Sequence, residues 1–330
     1  MKILITGCAG FIGSHTCEQL LELNHEVIGI DNFSKFYDRS IKENNLSNFV
    51  NHPRFTFHEV DIRNKESLYA AIDEQVDLVL HLAAKAGVRP SIKNPEDYVD
   101  VNIKGTQHLL QWMVDHSCKK FFFASSSSVY GNNKHGTPLH ENELDGEPIS
   151  PYAFTKRSCE LMNYTYHHLY NIDVVNARFF TVYGPRQRPD LAIYKFVDLI
   201  YNNEPIQMYG DGSTSRDYTF VSDTVDGILK SVNYLFDHEG VFETLNLGNQ
   251  NPVQLKALIQ LIYNVLEKKE NIIQQGMQEG DVNMTYADIT KAKELIGYKP
   301  AVTMEDGVQQ FVRWYLDSKK DKDSVITQHK

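Results

Sequence analysis

Lys2-Ile3-Leu4-Ile5-Thr6-Gly7-Cys8-Ala9-Gly10-Phe11-Ile12-Gly13 opens the chain and already specifies how its first half folds. Lys2 to Thr6 reads as a short buried strand, and Gly7, Gly10 and Gly13 as a tight turn into a helix. Helical apolar spacing runs from Ser14 to Asn24 through Cys17, Leu20 and Leu21. Val27 to Ile30 is a second strand, closed by Asp31. A β-α-β unit of about 30 residues that ends on an acid is the setting in which such glycines hold a dinucleotide. Lacking side chains, they let the backbone approach a pyrophosphate, and the helix N-terminus offers N–H groups and the positive end of its dipole. Asp31, with Asn32 beside it, is placed to accept hydrogen bonds from an adenosine ribose. Its charge repels a 2′-phosphate and no Arg follows it directly, so the expected cofactor is NAD rather than NADP.

Ser150-Pro151-Tyr152-Ala153-Phe154-Thr155-Lys156 is the second informative stretch. Pro151 suits the first turn of a helix, and Ser150 is a candidate cap. Tyr152 and Lys156 stand at i and i+4, on one helix face. Free tyrosine ionises near pH ~10, too high for a base at neutral pH. A neighbouring ammonium favours the phenolate and is expected to lower that pKa. Upstream, Ser125 to Ser128 follow the apolar run Lys120 to Ala124, a candidate central strand. Ligands of open α/β sheets bind at the carboxyl ends of the strands, so these hydroxyls fall where a reacting alcohol would be held. Dinucleotide loop, phenolate and hydroxyl cluster together describe hydride transfer between a nicotinamide and a carbinol.

Strand candidates are Lys2–Thr6, Val27–Ile30, Phe55–Glu59, Leu78–Leu82, Phe121–Ala124 and Val174–Arg178, alternating with helical segments. That alternation implies a parallel sheet with helices on both faces. The fold class expected is α/β: a doubly wound parallel-sheet Rossmann domain over residues 1–181 and a smaller α/β substrate-binding lobe over 182–330, with part of 218–248 returning to the first domain. Asp31 to Asn48 reads as a loop with a short helix, and the charged tail from Lys319 is expected to fray.

Composition narrows the function. The chain has 330 residues, 33 basic and 43 acidic, for a net charge of −10. An acidic chain is a poor nonspecific nucleic-acid binder, so an anionic substrate must meet local arginines. Cys8, Cys17, Cys118 and Cys159 are scattered, with no C-x-x-C pair, as suits reduced thiols. No signal peptide is read at the N-terminus, and no run approaches the ~20 apolar residues that span a bilayer; a cytoplasmic location is expected. Adjacent His167 and His168 point about 100° apart on a helix and cannot share one metal. His135 and His140 lack partners at metal spacing, so no metal is expected.

On these motifs the chain resembles the extended short-chain dehydrogenases/reductases, and within them the nucleotide-sugar 4-epimerases. Further matching pieces are Asp61-Ile62, His81-Leu82-Ala83-Ala84, Asn102-x-x-Gly105-Thr106, Tyr183-Gly184-Pro185-Arg186, Arg216-Asp217-Tyr218 and Gly297-Tyr298-Lys299-Pro300. Lys85-Ala-Gly-Val-Arg89-Pro-Ser91 and Thr181-Val-Tyr-Gly-Pro-Arg-Gln-Arg188-Pro-Asp-Leu-Ala192 are most similar to the UDP-glucuronate 4-epimerases. The resemblance implies roles. Gly7, Gly10, Phe11, Ile12 and Gly13 match the NAD loop, Asp31 the adenosine ribose site, and Asp61 and Ile62 the adenine contacts, with Asn32 among the cofactor-binding residues. Leu82, Ala83, Ala84 and Lys85 match a strand end along the cofactor, and Asn102 a residue near its nicotinamide half. Ser126 matches the catalytic Ser or Thr, Tyr152 the base, and Lys156 the ligand of the nicotinamide ribose. Thr181 and Arg188 match positions that handle the sugar, Arg216 a diphosphate ligand, and Tyr209 and Asp281 the nucleotide end. Arg89, Ser127 and Ser128 complete the implied substrate set. One departure is Met277 to Asp281, where Pro is expected before Gly280. Superfamily dimers pair the Tyr-x-x-x-Lys helix and the helix around Val101 to Val114 with their mates; a homodimer would take Leu109, Trp112, Leu161, Tyr164 and Leu169 as interface residues.

The reaction implied is NAD-dependent 4-epimerisation of a UDP-sugar, UDP-glucuronate to UDP-galacturonate, through a transient 4-keto intermediate. Tyr152 takes the C4 hydroxyl proton, helped by Ser126, and the sugar turns over while UDP stays anchored. Two alternatives stay open. A UDP-glucose or UDP-N-acetylglucosamine 4-epimerase would use Thr181 and Arg188 on hydroxyls instead. A UDP-glucuronate decarboxylase shares the 4-keto uronate, although its relatives carry Glu where Ser128 stands. The 4,6-dehydratases place Asp-Glu at Ser127-Ser128, and that reading is rejected.

Overall fold

The computed structural model describes residues 1–133, 136–143, 147–276 and 283–328. Its strands are β1 (Lys2–Thr6), β2 (Glu26–Asp31), β3 (Phe55–Glu59), β4 (Leu78–His81), β5 (Lys120–Ser126), β6 (Asp173–Phe179), β7 (Thr181–Tyr183), β8 (Ile206–Tyr209), β9 (Ser215–Phe220), β10 (Phe242–Leu247), β11 (Pro252–Gln254) and β12 (Ile272–Gln275). Seven form one sheet in the order β3-β2-β1-β4-β5-β6-β10, every pairing parallel. The strand order turns back on itself between β1 and β4, and a crevice opens there at the carboxyl ends. The other strands make a three-stranded sheet, β11-β9-β7, and a pair, β12-β8.

Alternation along β1 shows why the sheet is covered on both faces. Ile3 and Ile5 enter one apolar core with Leu20, Phe122, Ile228 and Leu235. Leu4 points the other way, into a second core with Val79, Leu109, Trp112, Phe121 and Phe123. A period of two turns successive side chains to opposite faces, and strands buried on both faces read as continuous apolar runs. Leu109 and Trp112, expected at a dimer interface, are fully buried in the second core. Trp112 Nε1 donates to the Ile72 carbonyl at 3.0 Å, closing off its one polar atom. A third core, with Ile193, Val197, Ile206, Leu258, Phe311 and Tyr315, holds the smaller sheets and their helices together.

Several boundaries differ from the sequence reading for local reasons. The first helix is Phe11–Glu22, with Gly10 as its N-cap, so the glycine turn and the helix start overlap. Helix Arg39–Leu46 is capped by Asp38, which accepts from the Ser40 N–H. Helix Pro151–Tyr170 begins as its residues predict: the Ser150 side chain accepts from the Ala153 N–H at 3.2 Å, and left-handed Asn171 ends it. After helix Val221–Asp237 the chain rejoins the main sheet as β10 beside β6. Beyond Lys319 the backbone stays helical to Gln328. Among the described residues no helix is long and apolar enough to cross a membrane.

Candidate active site

A cavity of about 940 Å³ lies over the carboxyl ends of the central strands. It collects most residues expected from sequence: Gly7, Gly10, Phe11, Ile12, Gly13, Asp31, Asn32, Ile62, Leu82, Ala83, Ala84, Lys85, Ser126, Ser127, Ser128, Tyr152, Lys156, Thr181, Arg188 and Arg216. Asp61, Arg89, Asn102 and Tyr209 are not on its wall. Asp281 lies outside the described residues, as do His135 and the segment where Pro is expected before Gly280.

The glycine turn has no room for a side chain at Gly7 or Gly13. Gly7 has φ +75°, and a Cβ there would stand 2.8 Å from the Ala83 nitrogen. A Cβ on Gly13 would stand 2.1 Å from the Gly7 carbonyl oxygen. No side chain caps the Phe11–Glu22 helix, so its first N–H groups are left for an anion. This arrangement fits a dinucleotide pyrophosphate. At the ribose end the structure adds a residue the sequence did not reveal. Lys42 Nζ donates to Asp31 Oδ1 at 2.8 Å, both side chains being buried. The Phe33 N–H donates to the same oxygen at 2.9 Å, so Oδ2 is the oxygen left for a ribose hydroxyl. Asp61 is a tie rather than a wall: it accepts from Asn32 at 2.9 Å and from Arg63 at 2.8 Å. Burial pushes its carboxyl up, but these bonds outweigh it and hold the pKa down to about 2. Both partners, Asn32 and Arg63, reach the cavity.

Ser126 ends β5, and its Oγ accepts from the Ser128 Oγ–H at 2.9 Å and N–H at 3.2 Å. Its own hydrogen therefore remains to donate. Tyr152 lies half-buried at the start of its helix, with Ser126 near enough to favour its phenolate. One turn on, Lys156 is buried, and Nζ donates to the Ala124 carbonyl at 2.7 Å. Here the structure corrects the electrostatic expectation. Burial raises the Tyr152 pKa above 10, and the influences that lower it are Ser126 and the charge of Arg188, not Lys156. Lys156 is itself pushed down to about 8 by burial, since a buried ammonium loses its hydration.

Behind the wall, two buried networks fix these groups. Asn102 accepts the Lys85 N–H at 2.8 Å, and its amide donates to the Lys85 carbonyl and to Thr155 Oγ1, both at 3.0 Å. Asn102, expected near the nicotinamide half, ties the strand end at Lys85 to the Tyr152 helix. Thr6 Oγ1 accepts from the Ala83 N–H at 3.1 Å and meets His81 Nδ1 at 2.6 Å, while His81 Nε2 meets Thr106 Oγ1 at 2.8 Å. Burial pushes His81 down to about 3, so it is neutral. In the second network Arg178 grips both oxygens of Glu160 at 2.9 Å, and Ser125 Oγ donates to Glu160 at 2.6 Å. Neither Glu160 nor Arg178 carries a sequence signal; the pair forms only where helix Pro151–Tyr170 packs on β6.

Comparison with known proteins agrees with this geometry. The family described as GDP-mannose 4,6-dehydratase matches residues 4–311. A UDP-glucuronate 4-epimerase of Thermodesulfobacterium geofontis is 40% identical over 313 residues, covering 94% of this chain and 95% of that one. The crystal structure of the Bacillus cereus UDP-glucuronic acid 4-epimerase, in complex with UDP-glucuronic acid and NAD, has a TM-score of 0.88 at 35% identity, covering 96% of this chain and 99% of that one. The Thermotoga maritima UDP-glucose 4-epimerase with UDP-glucose has a TM-score of 0.86 at 31% identity, with 96% and 99% covered.

Proposed function

Because the chain belongs to the GDP-mannose 4,6-dehydratase family of extended short-chain dehydrogenases/reductases, we propose that it catalyses the NAD-dependent 4-epimerisation of UDP-glucuronate to UDP-galacturonate. One observation carries the reading: Ser126, Tyr152, Lys156, Thr181 and Arg188 share a cavity with the glycine turn. NAD held at that turn supplies reversible oxidation of the C4 carbinol. Tyr152 Oη takes the C4 hydroxyl proton and returns it once the ring has presented its other face. Ser126 donates its remaining hydrogen to the same sugar oxygen. Lys156, with one N–H on the Ala124 carbonyl, keeps two for the nicotinamide ribose. Arg216 serves the diphosphate, and residues 182–330, apart from the part of 218–248 that rejoins the main sheet as β10, form the sugar-nucleotide lobe.

A 4-keto uronate is a β-keto acid and decarboxylates when the C5–carboxylate bond aligns with the carbonyl π-orbitals. Arg188 and Thr181 favour the epimerase by holding the carboxylate out of that alignment through charge-assisted hydrogen bonds. A homodimer and a cytoplasmic location belong to the same proposal. Leu161, Tyr164 and Leu169 are 54–59% exposed along the Tyr152 helix, with Phe154 at 49%, an apolar face suited to a second copy. Buried thiols at all four cysteines suit a reducing compartment. Proton NMR of a reaction with UDP-glucuronate tests the assignment. UDP-galacturonate with only traces of UDP-pentose is expected; chiefly UDP-pentose, or a preference for UDP-glucose or UDP-N-acetylglucosamine, would overturn it.

A further inference from the structure

Arg188 reaches the cavity already holding a carboxylate. Its Nε donates to Asp190 Oδ1 at 2.9 Å and its Nη2 to Asp190 Oδ2 at 2.7 Å. The guanidinium lies 5.2 Å from the Phe36 ring centroid, and the side chains of Arg188 and Asp190 are 17% and 34% exposed. Burial pushes the Asp190 carboxyl up, but the Arg188 bonds outweigh it and keep the group ionised. The loop that carries both is pinned to the cofactor side of the molecule. His15 Nε2 meets the Pro185 carbonyl at 2.9 Å, and Arg186 pairs with Glu18 at 2.7 Å. The pair is therefore held in place, with no net charge.

This creates a problem for a uronate, and a solution. Epimerisation with one base and one cofactor requires the 4-keto ring to turn between two faces. The C5 carboxylate moves with the ring, so any bond it makes to Arg188 must break and re-form in each turnover. A bidentate guanidinium–carboxylate bond is strong. Breaking one in a buried site strands an unpaired charge unless another partner is at hand. Resting on the uronate reading above, we propose that Asp190 is a positioning residue that competes internally for Arg188: it weakens the hold on the substrate carboxylate and takes the guanidinium back whenever the sugar turns. Asp190 thereby sets the balance between gripping the uronate and releasing it.

The test uses Asp190→Asn, which preserves shape and removes the competing charge. In a Tyr152→Phe background, calorimetry of the NAD-loaded protein with UDP-glucuronate and with UDP-glucose separates charge from fold. Asp190→Asn should tighten UDP-glucuronate by about three- to tenfold, the span between a screened and a partly buried charge pair, and leave UDP-glucose unchanged. With Tyr152 intact, the same substitution should lower both KM and kcat for the uronate, and Asp190→Glu should restore them towards wild type. An unchanged or weakened uronate affinity overturns the role of Asp190, as does tighter binding with undiminished kcat. If the parent protein binds UDP-glucuronate no better than UDP-glucose, the uronate reading itself falls and takes this inference with it.

Discussion

Replacing Glu160 by Gln would expose how far the site depends on charge buried behind it. Glu160 is 3% exposed and Arg178 is 1% exposed. Arg178 donates to both Glu160 oxygens at 2.9 Å and to the Glu141 carbonyl at 3.0 Å. Ser125 and Arg157 complete the carboxylate shell at 2.6 and 2.9 Å. Glu160→Gln leaves a buried guanidinium without its counter-charge, a change that costs about 3–5 kcal/mol. Urea unfolding followed by circular dichroism reads this as a lower midpoint with an unchanged slope. The Gln oxygen can still accept from Ser125, but its NH2 faces the donors of Arg178 and Arg157, so the packing beneath Ser125 and Ser126 is disturbed and kcat should fall as well, while NAD binding persists. Replacing both partners, as in Glu160→Leu with Arg178→Met, should recover most of the stability, since neither charge is then stranded. The pH sign is also fixed. Burial raises the Glu160 pKa, but its bonds outweigh this and set it below the usual 4.5. Its stabilisation is complete above 4.5 and is lost as pH falls through the lower folded value. A Glu160→Gln protein within about 1 kcal/mol of wild type, or a double variant as unstable as the two singles summed, would refute this reasoning.

Tyr152→Phe should still bind NAD and UDP-sugar while turnover drops by about 10²–10⁴-fold, the usual cost of removing a general base; near-normal turnover would exclude Tyr152. Burial sets the Tyr152 pKa above 10, whereas Ser126 and Arg188 lower it. Ser126→Ala and Arg188→Met should each move the rising limb of the pH–rate profile to higher pH, and an acid shift would contradict the assignment. Asp31→Asn frees buried Lys42 from its 2.8 Å ion pair. NADP should then approach NAD in affinity by calorimetry, and continued exclusion of NADP would show that Asp31 is not the discriminator.

Local sequence carried most of the sheet and the chemical centre. The glycine turn, the apolar strand before Ser125 and the Pro151 start are short-range signals, and each appears where its residues place it. The misses share a cause: they depend on partners distant in sequence. Lys42 reaches Asp31 because Arg39–Leu46 forms a helix beside β2, and Glu160 meets Arg178 across a helix–strand contact. Asn102 binds Lys85 and Thr155, partners its own stretch of sequence does not name. Trp112 is apolar enough for an interface and for a core, and only packing distinguishes the two. The i+4 spacing of Tyr152 and Lys156 was legible; which cation acts on the phenol was not, because Arg188 arrives from a loop 36 residues further on than Tyr152.

Transient oxidation at C4 can be followed with UDP-glucuronate deuterated at that carbon. Incubation in ordinary water, with the product analysed by mass spectrometry and NMR, should give UDP-galacturonate that keeps its deuterium at C4 and takes up no solvent hydrogen there, with turnover slower than for the unlabelled sugar. Loss of the label to water, or inversion at C4 with no isotope effect and solvent hydrogen at that carbon, would contradict the proposed chemistry.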